Sequence, residues 1–210
     1  MRVKLLRVVL TGGPCGGKTS SLRQLQDTLS SKGFEVYAVP EVPTILINGG
    51  AKYPGEDGGD KLIAFETELI RMQIAMENSF EGIARSTGKP SVIILDRGLM
   101  DVGAYLPQAQ WHQVLRANGW TEENFLARYD CVVHLTTTAD GAEEFYTTAN
   151  NTARTETPEE ALQLDKRIMQ AWKGHAELAV IRNEGSFQDK LSKATQAVLA
   201  VAERAPTASL

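Results

Sequence analysis

The 210-residue chain is 42% hydrophobic and 23% charged, enough for one domain with a full core and too apolar for wholesale disorder. A formal net charge of −4 argues against a general nucleic-acid binder, and no apolar run approaches the length of a membrane span, so neither nucleic acid nor stable membrane insertion is expected. Its two cysteines, Cys15 and Cys131, make no disulfide framework and suit a reducing interior, which points to a cytoplasmic protein.

Leu5 to Thr11, "LLRVVLT", reads as the first strand, and its near-continuous Val/Leu content suits a strand buried on both faces of a parallel sheet. "TGGPCGGKTS" (11–20) follows, with four glycines and a proline that fit neither a helix interior nor a strand. It matches G-x-x-x-x-G-K-[ST] as Gly12, Gly17, Lys18 and Thr19, and Lys18 to Ser31 reads as a helix. Strand, glycine loop and helix in that order bring backbone N–H groups together at a helix N-terminus, where an anion is favoured. Gly13, Pro14, Cys15, Gly16, Gly17, Lys18, Thr19 and Ser20 are therefore the expected triphosphate cradle. Lys18 would reach the terminal phosphates, and the Thr19 hydroxyl would ligate Mg²⁺.

The second strand, "EVYAVP" (35–40), ends at Glu41, between Pro40 and Pro43, which should hold the backbone extended and aim the carboxylate into the ligand crevice. "NGGAKYPGEDGGD" (48–60) has five glycines and reads as a mobile loop. From Lys61 to Arg85, Leu62, Phe65, Leu69, Met72, Met76, Phe80 and Ile83 fall on one helical stripe, the expected core face. Beside it, Glu66, Ile70, Gln73 and Glu77 read as a solvated flank, with an acceptor-facing role as the alternative.

"SVIILD" (91–96) ends on Asp96, where a carboxylate would hold Mg²⁺ or take the acceptor's proton, and Arg97 would steady the transferring phosphoryl group. Asp101 and Tyr105 stand close enough in sequence to line an acceptor site. "YDCVVHLT" (129–136) is the fourth strand. The polar stretch 136–161 reads as a lid carrying Arg154, with Arg167 as the alternative cation. Thr157 caps a helix that starts at Pro158 and runs to Ala176. "LAVIRN" (178–183) is the fifth strand, and puts Arg182 and Asn183 where a purine base would lie; a last helix covers 187–203, and 204–210 reads as a tail. His112, His134 and His175 lack metal-ligand spacing.

Strands alternating with helices give an α/β class: a three-layer P-loop NTPase fold, five parallel strands with helices on both faces, kinase-like with a lid, in one domain over residues 1–203. The chemistry this implies is Mg²⁺-dependent binding of ATP or GTP, with transfer of the terminal phosphate to a small hydroxyl-bearing acceptor. The alternative is a nucleotide-controlled switch with slow hydrolysis and a protein effector. Glu41 and Asp96 share the base and metal roles in an order the residues leave open.

"VVLTGGPCGGKTS", "VPEVPT", "ILDRGLMD", "FYTTANNTARTETPEEALQLDKRI" and "VIRNEGSFQDKL" together resemble one P-loop family. It contains the kinase domain of the NAD-biosynthesis regulator NadR and the GTP-binding domain of the TRPL translocation-defect proteins. The resemblance is closer to the second branch, through "GGPCGGKT" with "NNTARTE". It implies a kinase-like P-loop fold, Mg²⁺ and a purine nucleoside triphosphate.

Overall fold

Strands β1 (Leu5–Thr11), β2 (Glu35–Val39), β3 (Ser91–Asp96), β4 (Cys131–Leu135) and β5 (Leu178–Ile181) form one parallel sheet in the order β2-β3-β1-β4-β5. The structure is a computed structural model that describes residues 4–142 and 157–204. Eight helices accompany the sheet among these residues. They are α1 (Lys18–Ser31), α2 (Val42–Asn48), α3 (Asp60–Ser86), α4 (Leu99–Gly103), α5 (Gln108–Asn118), α6 (Glu122–Leu126), α7 (Pro158–Trp172) and α8 (Phe187–Arg204).

Alternation along each strand divides the core in two. Leu6, Val8 and Leu10 of β1 pack with Leu25 and Leu29 of α1 and with Ala194 and Val198 of α8. Val9 faces the other way, into a larger cluster with Leu69 and Ile70 of α3, Val114 of α5, and Ile168 and Trp172 of α7. The strands are therefore apolar on both faces, as the Val/Ile/Leu runs require. Each fully buried Leu or Ile contributes about 1.5–3 kcal/mol. No helix among the described residues is long and apolar enough to cross a membrane.

β1 is central, and the chain leaves it towards one face through α1 but leaves β3 towards the other through α4. That reversal opens a crevice at the carboxyl edge of the sheet, where ligands of such sheets bind. Pairing of Leu10 with Asp96, and of Thr11 with His134, sets the loop after β1 between the ends of β3 and β4.

Several elements differ from the sequence reading. Helix α2 begins directly after Glu41, where an extended stretch is expected. Pro43 lies in its first turn, where a missing N–H costs nothing and the ring presets φ. Glu41 itself keeps extended dihedrals, φ −61° and ψ 118°, as the residue before the helix. Helices α4 to α6 fill a stretch with no predicted element. They are short, and the burial of Trp111, Val114 and Phe125 holds them rather than intrinsic propensity. Helix α7 starts as expected: Thr157 Oγ1 accepts from Glu160 N–H (3.2 Å), and Glu160 accepts from Thr157 N–H (2.8 Å). It ends at Trp172, four residues short of the expected Ala176.

The solvated flank expected of α3 is also corrected. Glu66, Ile70, Gln73 and Glu77 are all buried, while Ile83 of the expected core stripe is 52% exposed. Glu77 is satisfied there by Tyr129 Oη–H (2.8 Å), Gln73 Nε2–H (3.0 Å) and Arg128 Nε–H (2.8 Å). Two of those partners lie more than fifty residues away, so no local pattern announces them. The 48–60 loop contains a turn, Gly58 N–H to Gly55 O (2.9 Å), and lays the Tyr53 ring edge-on against Phe65 of α3 at 5.7 Å. Most of the expected lid, including Arg154, lies outside the described residues, as does the tail beyond Arg204.

Candidate active site

Gly12 opens the loop at φ +124°, and a Cβ there would run into the Leu135 carbonyl of β4. Gly17 closes it at φ +96°, with the Phe187 ring 2.9 Å from where a Cβ would sit. Only glycine meets both demands at either end. Gly17 is also the N-cap of α1 and supplies no side-chain cap, and the first turn of the helix carries no acidic residue. The leading N–H groups of α1 are thus left for an anion. Cys15 takes φ +58° between them.

Lys18 lies back over this loop, its Nζ donating to the carbonyls of Gly12 and Gly13 at 3.0 Å each. Burial lowers its pKa to about 8; Arg97 pushes the same way, while Asp96, Glu41 and Asp101 oppose. Thr19 is exposed in the first turn of α1.

Asp96 ends β3 opposite Leu10. Its Oδ1 is buried and has no hydrogen-bond partner among the described residues. Burial raises its pKa above the usual carboxylate range, against the pull of Lys18. The orphaned carboxylate oxygen fits Mg²⁺, for which Thr19 is the second ligand expected from the sequence. No group of three or more acidic, His or Cys side chains could hold a metal alone among the described residues, so phosphate oxygens would complete the shell.

Arg97 follows in the left-handed region at φ +72°, its N–H held by Leu10 O at 3.0 Å. Such a backbone costs a non-glycine residue about 1 kcal/mol or more. The contacts of its side chain offset this: Nε donates to Glu41 Oε1 (2.5 Å), Nη1 lies 3.7 Å from Asp101 Oδ1, and the guanidinium stands 5.7 Å from the Tyr105 ring centre. Burial works against the charge on Arg97, but Tyr105, Glu41 and Asp101 together raise its pKa. Glu41 is the mirror case. Burial would raise it, yet Arg97 and the Thr44 hydroxyl (2.6 Å) keep its carboxyl below the usual range. Asp101 is a buried anchor, accepting from Thr11 Oγ1–H, Gly98 N–H (2.8 Å) and Trp172 Nε1–H (3.2 Å).

The chain matches the sequence profile of an AAA-domain family, AAA_28, over residues 7–190. The chain belongs to this family. The match spans the glycine loop, Glu41, Asp96, Arg97, Arg182 and Asn183. No curated protein matches the chain.

On the β4 side, this AAA-family chain braces its loop with residues that sequence reasoning missed. Asp165 of α7 accepts from Gly13 N–H (2.6 Å) and Thr137 N–H (3.3 Å), and its other oxygen lies 3.2 Å from His134 Nε2. Burial would raise the Asp165 pKa, but these three contacts lower it. Thr137 Oγ1 donates to Pro14 O (2.5 Å), and Lys190 Nζ donates to Thr136 O (2.6 Å). One signal was available: Asp165 sits on the buried face of α7 with Ala161, Leu164 and Ile168. Asn183 uses both amide N–H groups on the carbonyls of Thr137 (2.7 Å) and Asp140 (2.8 Å) and accepts from Lys190 (2.6 Å). Arg182 beside it is exposed.

Proposed function

We propose that this AAA-family chain binds a purine nucleoside triphosphate with Mg²⁺ and transfers the terminal phosphate to a small hydroxyl-bearing acceptor of nucleoside type. The observation that carries the reading is the Glu41–Arg97–Asp96 constellation beside the glycine loop. One carboxylate, Glu41, is oriented by Arg97 Nε at 2.5 Å, while Asp96, the residue before that arginine, keeps a buried oxygen with no partner among the described residues. One carboxylate is thus aimed and the other is open to a ligand. The resemblance to the NadR kinase domain favours this reading, while the closer resemblance to the TRPL GTP-binding domain keeps the nucleotide-controlled switch as its alternative.

The loop amides and Lys18 hold the triphosphate, while Thr19 and the unpartnered Asp96 oxygen would hold Mg²⁺, which would supply positive charge to offset that of the phosphates. Glu41, oriented by Arg97 and Thr44, accepts the proton of the acceptor hydroxyl. The acceptor oxygen bonds to the terminal phosphorus as the bond to the bridging oxygen breaks, and the nucleoside diphosphate leaves. Arg97 faces the charge spread over the moving phosphoryl group, a role that Arg154, outside the described residues, would share. Arg182 and the backbone at Asn183 border the base. One domain through residue 203 houses the whole reaction.

A thermal-shift screen with Mg·ATP and Mg·GTP, followed by a panel of nucleoside acceptors, tests this. Lys18→Ala should abolish the nucleotide-induced shift. Glu41→Gln, which removes the proposed base, should still bind nucleotide and lose turnover by about 100-fold or more. Tight GTP binding with no phosphorylated product from any acceptor would replace the phosphotransfer reading with the switch.

A further inference from the structure

Glu66 is 3% exposed on the deepest line of α3, yet no hydrogen bond or ion pair reaches it among the described residues. Glu77, eleven residues along the same line, has three donors. Arg97 is engaged with Glu41 and Asp101, Lys18 with the Gly12 and Gly13 carbonyls, and Arg167 with Glu56 at 3.4 Å. Burial alone pushes the Glu66 carboxyl up to about 7. A carboxyl withdrawn from water without partners weakens a fold, and an apolar or amide side chain would serve packing better. Such a residue is best explained by a ligand it waits for.

Its position says which ligand. Glu66 is two turns into α3, at the carboxyl edge of the sheet, within electrostatic reach of Tyr53 in the 48–60 loop. Tyr53 packs its ring on Phe65, the neighbour of Glu66, at 5.7 Å, and Tyr105 lies 5.7 Å from the Arg97 guanidinium. A buried carboxyl with one phenol ring packed beside it on α3, and a second phenol ring on Arg97, whose guanidinium holds Glu41, are thus the groups offered to an acceptor.

We infer that Glu66 is the specificity-determining group for the acceptor, receiving an N–H donor from the edge of a planar nucleobase that Tyr53 and Tyr105 flank. The inference rests on the phosphotransfer reading and narrows its acceptor to a nucleoside whose base carries an amino or ring N–H. Selectivity arises because a buried carboxyl left unsatisfied rejects an acceptor that lacks the donor.

Glu66→Gln and Glu66→Leu test it on the full chain, with adenosine, guanosine and cytidine as acceptors and ribose as the baseless control. The unliganded variants should melt about 3 °C or more above wild type at pH 8. The gain should shrink at pH 6, because wild type loses stability as pH rises from the ordinary carboxylate pKa through about 7. The Mg·ATP shift should be unchanged, and kcat/KM for the selected nucleoside should fall about 10- to 100-fold through KM in Glu66→Leu and less in Glu66→Gln, whose amide oxygen still accepts, with ribose unaffected. Lower melting points at pH 8 in both variants would make Glu66 a structural residue and overturn the inference, as would nucleoside kcat/KM in Glu66→Leu within twofold of wild type. If wild type phosphorylates no nucleoside, the phosphotransfer reading falls and binding alone decides Glu66. A nucleoside-induced melting shift seen in wild type and lost in Glu66→Leu supports the role; equal shifts, or none in either, overturn it.

Discussion

Lys18 rests on the Gly12 and Gly13 carbonyls, with a pKa that burial brings down to about 8. Only its ammonium form pairs with phosphate, so the sign of the pH effect follows. Affinity for Mg·ATP should be flat from pH 6.5 to about 7.5 and fall by up to about tenfold per unit above 8. Isothermal titration from pH 6.5 to 9.5 reads this directly, and a flat profile to the alkaline end would contradict the role given to Lys18. At this scale the glycine loop was legible because its spacing is local, with Gly12, Gly17, Lys18 and Thr19 all within eight residues. Asp96 and Arg97 were legible as candidates because a charge ending an apolar strand is conspicuous. The grip of Glu41 on Arg97 across 56 residues was not, nor were the opposite electrostatic states of the two carboxylates.

Helix α7 shows what an element adds. It follows the segment expected to form the lid, and Asp165 on its buried face holds Gly13 N–H at 2.6 Å. The loop is thereby tied to the helix as well as to its own strand. Asp165→Ala would strand two backbone donors and His134, a loss of about 2–4 kcal/mol in urea unfolding, with weaker nucleotide binding as the second readout. Asp165→Asn should recover part of both, since an amide oxygen can still accept from Gly13. The lowered pKa of Asp165 adds a pH signature. Its stability contribution is complete above the ordinary 3.8 and is lost as pH falls through the lower folded value, so the Ala variant should lack that acid-side loss. Helix α3 carries the complementary lesson. Its length and apolar stripe were readable from 3.6-residue periodicity, but its most buried line passes through Glu66, Gln73 and Glu77. Polar residues read as solvent-facing unless their partners are visible, and Tyr129 and Arg128 come from a different part of the chain.

Across the whole molecule, the sheet order β2-β3-β1-β4-β5 gathers the glycine loop, Glu41, Asp96 and the α7 brace at one edge. A ligand bound there touches several elements at once. At 100 times its dissociation constant, Mg·ATP or Mg·GTP should add about 2.7 kcal/mol, a rise in melting temperature of about 5–10 °C for a chain of this size. A rise confined to one nucleotide would identify the preferred base, and no rise with either would remove the triphosphate assignment. The amino-acid order by itself determined the α/β class, the parallel strands and the phosphate loop, because apolar periodicity and glycine stereochemistry act over a few residues. Tertiary structure alone decided that Arg97 joins Glu41 to Asp101, that Asp165 braces the loop, and that Glu66 is buried without a partner. Those outcomes depend on which distant side chains arrive beside each charge, and in a medium that screens weakly the neighbours decide what a charged group can do.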